Sequence, residues 1–413
     1  MRTPDDFKLV CSLPSSLRRL IIRRVASSIG CGSEEEWRDG ASALLRRIFS
    51  LFPHLTELTL SIGDIGGPPS FPSRASLSQL RTLILDRDVS KTTMESMNIL
   101  ALMERLEELR LGVDFSEGKG RPLGHTTSSD FPQLKRLTIV EYGFKSAETL
   151  LMSYQFPCLA SIAVWMVAGT KMAGWRSLCR VTSMRLPYLT ELAWMLSEMD
   201  HYFSKGPYAP SELLHTLSPF VSMRQPLKKL TINLGEFGVI FTEQLYIQLA
   251  DMWPGLEEFT LMAMDDHDGM TEPNEKPSLH ALAAFASKCP RLRHLSLFCI
   301  QAHQDAVAEV MRTDQPDNHP LRVLAIHMTI YENIQACAGA LDRLFPNVDI
   351  AASQRTRIAM YTDPGSEEDE PPVASRRPPP RYPDSVLTAR PPSRDRDLLL
   401  AIERCQMNRR RAG

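Results

Sequence analysis

The segment FPQLKRLTIV at residues 131–140 contains the pattern that decides the fold of this chain. A proline follows a bulky apolar residue, an apolar anchor stands two positions after the proline, and apolar residues follow the anchor at three and five positions. In this copy the triplet is Leu134, Leu137 and Ile139. The last two lie two residues apart, so they point to one side of a short strand, and the anchor packs beneath it. The segment is therefore predicted to be a strand with one buried face.

The same pattern recurs along most of the chain. Eleven full triplets have their anchors at residues 17, 55, 80, 106, 134, 159, 189, 227, 256, 292 and 321, and a degraded copy has only Val348 and Ala351. Self-similarity at a period near 30 residues is the mark of a solenoid. The apolar residue and proline precede seven of these copies, at Phe52-Pro53, Phe131-Pro132, Phe156-Pro157, Leu186-Pro187, Trp253-Pro254, Cys289-Pro290 and Phe345-Pro346.

The segments between triplets have helical spacing, as in Phe241, Leu245, Leu249 and Met252. Proline ends each helix because it lacks a backbone donor and biases the preceding residue toward extended conformations. One strand and one helix cannot bury their apolar faces alone, so neighbouring repeats must stack. The prediction is an α/β leucine-rich-repeat solenoid, with a curved parallel sheet on the concave side and helices on the convex side.

The repeats also predict the domain organisation. Residues 1–16 form a lead-in, residues 17–355 form the solenoid of about 11–12 repeats, and residues 356–413 form a tail rich in proline and arginine whose composition predicts disorder. Long gaps between anchors place inserted loops at residues 200–210 and 264–277.

Composition narrows the class of function. The 47 Lys and Arg nearly balance the 49 Asp and Glu, which argues against nucleic-acid binding by phosphate neutralisation. The eight cysteines form no CxxC pair, and no apolar run is long enough for a signal peptide or a membrane span. We therefore expect a protein of the cytoplasm or nucleus that binds no membrane, no metal and no cofactor.

No catalytic motif stands out from the repeats. The chain has neither a GxSxG elbow nor an HExxH helix, and the acidic run at residues 265–268 lacks the spacing of a calcium loop. The chain is therefore predicted not to be an enzyme.

The strand residues that alternate with the buried pair predict a binding groove. They form three columns across the sheet, of which the first is largely polar, the middle is small and the third is large and apolar in the later repeats. An apolar stripe with a polar edge suits a protein client. In the alternative interpretation, the inserted loops cover the stripe and bury it as core. The predicted groove residues are Val140, Trp165, Met195, Met262 and Phe298 in the third column and Glu191, Lys229 and His294 in the first.

The predicted tail carries a short recognition motif. Pro379, Pro380, Arg381 and Tyr382 match the PPxY ligand of WW domains. The polyproline conformation lowers the ordering cost of such binding. The bland interpretation is that a four-residue match arises by chance in a proline-rich segment.

The recurring Phe-Pro-x-Leu-x-x-Leu-x-Leu units, over roughly residues 13–351, resemble the leucine-rich-repeat region of fungal F-box proteins. The resemblance implies a substrate receptor of a cullin-based ubiquitin ligase, in which an F-box holds the adaptor and the repeats hold the client. The sequence shows no recognisable F-box, because Leu13-Pro14 opens directly into the first repeat. Adaptor binding therefore requires an F-box upstream, or the chain is a truncated relative. The alternative function is a free-standing adaptor that bridges a groove client and a WW-domain protein.

Overall fold

The computed structural model describes residues 13–23, 45–61, 71, 77–85, 92–113, 115, 130–141, 144–166, 172–196, 208–235, 239–263, 277–312, 318–330, 333–361 and 393–412. The chain divides into two compact units. The first comprises Met1–Val239 with Ala263–Asp266, and the second comprises Ile240–Met262 with His267–Gly413.

The described part of the first unit contains eight strands, and each pairs in parallel with the next along the chain. These strands are β1 (Arg19–Arg23), β2 (Glu57–Ser61), β3 (Thr82–Leu85), β4 (Glu108–Gly112), β5 (Arg136–Glu141), β6 (Ser161–Met166), β7 (Glu191–Leu196) and β8 (Lys229–Asn233). Residues 45–51 are helical. The helices that follow are α1 (Met94–Ala101), α2 (Phe144–Ser153), α3 (Met172–Arg185) and α4 (Pro210–Leu217), with a 3₁₀ turn at Ser218–Phe220.

The second unit continues the alternation of helix and strand. Its strand β10 pairs in parallel with β9 and with β11. Its elements are α5 (Glu243–Met252), β9 (Glu258–Met262), α6 (Leu279–Lys288), β10 (His294–Ala302), α7 (Gln304–Arg312), β11 (Val323–Ile330), α8 (Ile334–Leu344), α9 (Ile350–Tyr361) and α10 (Ser393–Ala412). The chain is therefore an α/β solenoid of leucine-rich-repeat type, as predicted.

The recurring proline occupies the second position of a tight turn. In all seven copies the anchor N–H donates to the carbonyl of the residue before the proline, as from Leu134 to Phe131 at 3.3 Å and from Leu256 to Trp253 at 3.2 Å. Proline suits this position because its φ is fixed near the value that the turn needs. The side chain before the proline is buried in every copy. Phe131 and Phe156 stack at 5.2 Å between ring centroids, so these aromatic side chains fill the space between successive turns.

The repeats are joined by a backbone ladder where each strand begins. Within each unit, one carbonyl of a repeat accepts two successive N–H groups of the next strand, at 2.7–3.2 Å. In the first unit the accepting residues include Glu107, Lys135, Ala160 and Thr190, and in the second unit they are Glu257 and Arg293. The hydroxyls of Thr56 and Thr190 add bonds to two ladder carbonyls, those of Arg18 and Ala160, at 3.0 and 3.2 Å. The docking geometry therefore depends mainly on the backbone.

The buried pairs of the triplets form continuous rows inside the sheet. Leu137, Ile162, Leu192 and Leu230 are register partners across β5 to β8, and all are at most 2% exposed. Burial of each such side chain contributes about 1.5–3 kcal/mol before conformational entropy is subtracted. The repeated spacing therefore forms the core.

The C-terminal part of the chain departs from the predicted boundaries. The degraded triplet at Val348 and Ala351 forms no strand, and the boundary at residue 355 falls inside α9. Ser353 Oγ of α9 accepts the Leu324 N–H of β11 at 3.1 Å, so a helix takes the place of another strand beside β11. Residues 393–412 of the predicted disordered tail form α10, because its apolar face is buried in this unit. Residues 362–392 lie outside the described residues.

The predicted inserted loops are described only in part. Pro210, the last residue of the first loop, is instead the first residue of α4, a position that proline favours. Tyr208, Ala209 and Pro277 of the two predicted loops are also described, and the rest of these loops, residues 200–207 and 264–276, lies outside the described residues. Within the part of the chain that the structure describes, no helix is long and apolar enough to cross a membrane.

Candidate protein-binding face of the repeats

The strand register assembles the three predicted columns on one face of the first unit. The first column aligns Arg136, Ser161, Glu191 and Lys229, the middle column aligns Thr138, Ala163, Ala193 and Thr231, and the third aligns Val140, Trp165, Met195 and Asn233. Residues of the three columns alternate with the buried pairs along each strand. The face is therefore built by strands β5 to β8.

The third column offers two large apolar side chains to this face. Trp165 and Met195 are neighbours in β6 and β7, and both are half-buried. Val140 differs from expectation, since only 4% of it is exposed. The larger indole of Trp165 stands next to it on the same face. Val140 therefore adds little accessible surface, and the apolar part of the candidate site is centred on Trp165 and Met195.

Arg110 is a residue of this face that the sequence interpretation missed. It lies in β4, in register with Thr138 of β5, and its guanidinium carbon stands 4.9 Å from the centroid of the Trp165 ring. The small side chain of Thr138 leaves room for Arg110 to reach across one strand. A cation over an indole is an attractive arrangement. The sequence does carry one signal for this contact, because Arg110 lies in the middle column two strands before Trp165.

The first column forms a charged edge. Arg136 Nη2 lies 2.6 Å from Glu108 Oε2, and this hydrogen bond raises the pKa of Arg136. Further along, Lys229 Nζ lies 3.9 Å from Glu191 Oε1, which is a loose pair. Both pairs are partly exposed, so each contributes little to the free energy of unfolding. Their charges remain available to orient a partner.

A second row of charges flanks the strands one residue earlier. Glu107 Oε2 accepts a hydrogen bond from Lys135 Nζ at 2.8 Å, and Arg81 lies 3.4 Å from the other carboxylate oxygen. The Lys135 bond is the main reason that the pKa of Glu107 is lowered. This side of the face is therefore polar across several strands.

The second unit holds the other three predicted groove residues. Met262 is half-buried at the end of β9, and His294 is aligned with Glu258 of β9 and Val323 of β11. Phe298 lies in a register irregularity of β10, and its ring contacts that of Phe241 at 5.7 Å. The backbone carbonyl of Phe298 also accepts a hydrogen bond from Tyr246.

Phe298 is therefore partly taken up by an aromatic cluster inside its own unit. The middle-column residue before it, Ser296, is fully buried. Near these two residues, the face resembles the covered core of the alternative interpretation more than an open groove.

Two other predicted features fall on residues that are not described. The PPxY motif at Pro379, Pro380, Arg381 and Tyr382 lies within residues 362–392, and the acidic run at 265–268 lies within residues 264–276. Both remain predictions from the sequence.

Comparison with known proteins adds a structural likeness. No protein-family profile matches the chain, and no curated protein matches it in sequence. Its fold is similar to that of a chain in the crystal structure of the Rad7 and Elc1 complex in yeast, at 15% identity and a TM-score of 0.35. The likeness covers 77% of this chain and 62% of that chain. The function must therefore be inferred from the residues of the chain itself.

Proposed function

We propose that this protein is a recognition module of the cytoplasm or nucleus, without catalysis of its own, whose β5 to β8 face binds a protein client. The observation that carries the proposal is the pairing of half-buried Trp165 and Met195 with the small residues Ala163 and Ala193 beside them. The accessible part of an apolar side chain on a strand face adds nothing to the core, whereas it adds affinity when a partner covers it.

The three columns suit different parts of a client. The middle column is small at Ala163 and Ala193, so a partner backbone can approach the sheet closely. Trp165 and Met195 supply the apolar area, and tryptophan is among the residues most enriched at energetic centres of interfaces. Glu191 and Lys229 lie at the edge, where charges set orientation and association rate more than affinity.

The finer proposal is that the client is a substrate of a ubiquitin ligase. It is supported by the resemblance of the Phe-Pro-x-Leu units to the repeats of fungal F-box proteins. The repeats would hold the substrate, and an F-box outside the present sequence would hold the ligase adaptor. The second candidate is a free-standing adaptor, supported by the PPxY residues Pro379, Pro380, Arg381 and Tyr382.

The binding face can be tested by comparing one methionine on the face with one methionine away from it. Met195 lies on the proposed face, whereas Met184 lies on α3 and is 61% exposed. A photocrosslinking amino acid at Ala193 is expected to capture one protein from cell extract, and the same probe at Met184 is not. Met195→Ala should reduce that capture about tenfold, which is the effect of an interface residue worth about 1.4 kcal/mol, and Met184→Ala should leave it unchanged. Equal capture from both probe positions would count against the face.

The ligase and adaptor proposals differ in what the rest of the chain recruits. Because α10 is packed into the second unit, the motif is better removed by Tyr382→Ala than by deleting the tail. Capture of a ligase adaptor and a cullin by both the unaltered chain and the Tyr382→Ala variant favours the substrate receptor. Capture of a WW-domain protein that disappears with Tyr382→Ala favours the bridging adaptor. If neither is captured, both finer proposals are wrong and only the client-binding face stands.

A further inference from the structure

The helix α10 belongs to no repeat. The sequence before it contains no triplet, and among the described residues the element that precedes it is the helix α9, with residues 362–392 between them. It nevertheless packs against α8, the last helix that follows a repeat strand. The side chains that α10 buries recur at helical spacing on one face, namely Leu398, Leu399, Ala401, Ile402 and Gln406.

Polar bonds fix α10 on the C-terminal end of α8. Gln406 Nε2 donates to the Val348 carbonyl at 2.9 Å, and Arg409 Nη2 donates to the Pro346 carbonyl at 2.6 Å. Arg409 also lies 3.3 Å from the Asp342 carboxylate. The Val348 and Pro346 carbonyls lie in the turn that follows α8, and Arg409 Nη1 also donates to the Asp342 carbonyl in the last turn of α8 at 3.4 Å. The last carbonyls of a helix have no partner within the helix, so the bond to Asp342 satisfies a group that would otherwise need water.

The same arrangement joins two ordinary repeats of the first unit. There Arg185, in the last turn of α3, donates to the carbonyls of Leu151 and Tyr154 at the C-terminal end of α2, at 3.1 and 3.3 Å. Arg409 is likewise in the last turn of its helix, and it donates to the Asp342 carbonyl in the last turn of α8 and to the Pro346 carbonyl just after α8. The contacts between α10 and α8 are therefore of the same kind as the contacts between the helices of two successive repeats.

We propose that the face of α8 is a helix-binding site whose occupant is the chain's own α10, and that α10 is an exchangeable cap that closes the stacking surface of the last repeat. A solenoid needs its terminal surface covered, because that surface otherwise stacks on another copy. An ordinary repeat would close it with a strand and a helix joined in sequence. Here α9 lies against β11, and α10 arrives separately and lies against α8.

Exchange can be measured on the full chain after one cut. A protease site inserted within residues 362–392 and then cleaved leaves α10 held only by its contacts. A fluorescent peptide of residues 393–412 is expected to replace the resident segment in a saturable way, as measured by fluorescence anisotropy. The peptide with Arg409→Ala should bind about tenfold more weakly, because it loses charge-assisted bonds, and the peptide with Leu399→Asp should not bind measurably. The matched control is Arg410→Ala, which changes an exposed arginine and should bind like the parent peptide.

Three results would overturn the proposal. In the first, the labelled peptide does not bind to the cleaved chain. In the second, release of α10 from the cleaved chain is accompanied by loss of the circular dichroism signal of the repeats. In the third, the substituted peptides bind as well as the parent peptide. Hydrogen exchange on the uncut chain gives an independent check. Amides of α10 should exchange in one step and faster than those of α8, as expected for a unit that opens by itself. Equal protection of the two helices would show that α10 is a permanent part of the fold and does not exchange.

Discussion

Two tryptophans on neighbouring strands show how differently the two faces of the sheet are used. Trp194 of β7 points inward, is 0% exposed, and meets Trp175 of α3 edge to face at 6.4 Å. Trp165 of β6 points to the other face, is half-buried, and has Arg110 over its ring. The residue type is the same and the strands are adjacent. The difference is that the protein packs around the whole indole of Trp194 and leaves part of the indole of Trp165 accessible.

The comparison shows that inward and outward positions alternate along the same strand, and on the proposed function the inward positions carry stability while the outward positions carry recognition. A substitution at an inward position should change the free energy of unfolding, and a substitution at an outward position should change binding. Each of the following experiments would sharpen or break that division.

The largest effect is expected for Trp194→Ala. Removing a fully buried tryptophan leaves a cavity beside Trp175, and such substitutions cost about 3–5 kcal/mol. Urea unfolding of the full chain gives the measurement. A loss below about 1 kcal/mol would mean that the inward face does not hold the first unit together.

A somewhat smaller loss is expected for Gly235→Ala, close to the end of β8. Gly235 has φ +54°, and an added Cβ would lie 2.4 Å from the Leu196 carbonyl oxygen. Strain of this kind costs about 2–3 kcal/mol. Gly339→Ala in α8 is the control, because its Cβ would meet no atom within 4 Å. The control should be neutral or stabilise by up to about 1 kcal/mol, so similar losses in both variants would contradict the steric argument.

Acid should weaken the second unit through His319. This side chain is 2% exposed; Nδ1 accepts the Leu321 N–H at 3.3 Å and Nε2 donates to the Cys289 carbonyl at 3.1 Å. Both bonds suit the neutral ring, and burial lowers the pKa of His319. The neutral His319 ring therefore contributes its full stabilisation above the pKa of an unfolded histidine, about 6.5. This stabilisation is lost as the pH falls from that value toward the lower pKa of the folded state.

The measurement is the difference in Tm between about pH 7.5 and about pH 5.5. His319→Gln cannot be protonated in this range, so its Tm should fall less than that of the unaltered chain. An equal fall in both proteins would assign the acid sensitivity to other groups.

The smallest change in stability is expected for Trp165→Ala. Its half-buried ring and the Arg110 contact together contribute about 1 kcal/mol, while capture of the client should fall severalfold or more. A fall in Tm of several degrees with unchanged capture would support the alternative in which this stripe is covered core.

Much of the architecture was readable from the sequence because one spacing carries it. The triplets determine which residues of each strand are buried, and the proline sets the turn before the anchor. The three columns followed from the alternation alone. These features depend on residues close together in the chain, which is why a single sequence is enough to predict them.

Other features were not readable because they depend on neighbours in space. The reach of Arg110 to Trp165 crosses one intervening strand, so it can be recognised only once the columns of three strands are compared. The irregularity in β10 directs Phe298 toward Phe241, although the spacing of its triplet is regular. The apolar residues of α10 were visible, but their partner on α8 was not, since a helix face indicates burial without indicating against what.

The backbone ladder also bears on how the chain could change length over evolution. Because the ladder carbonyls within each unit receive two backbone N–H groups, neighbouring modules dock mainly through groups that every residue carries. A gene duplication or deletion that adds or removes one whole module would keep these backbone junctions the same. An array of this kind could therefore lengthen or shorten in steps of one module, while its outward-facing positions are left free to diverge.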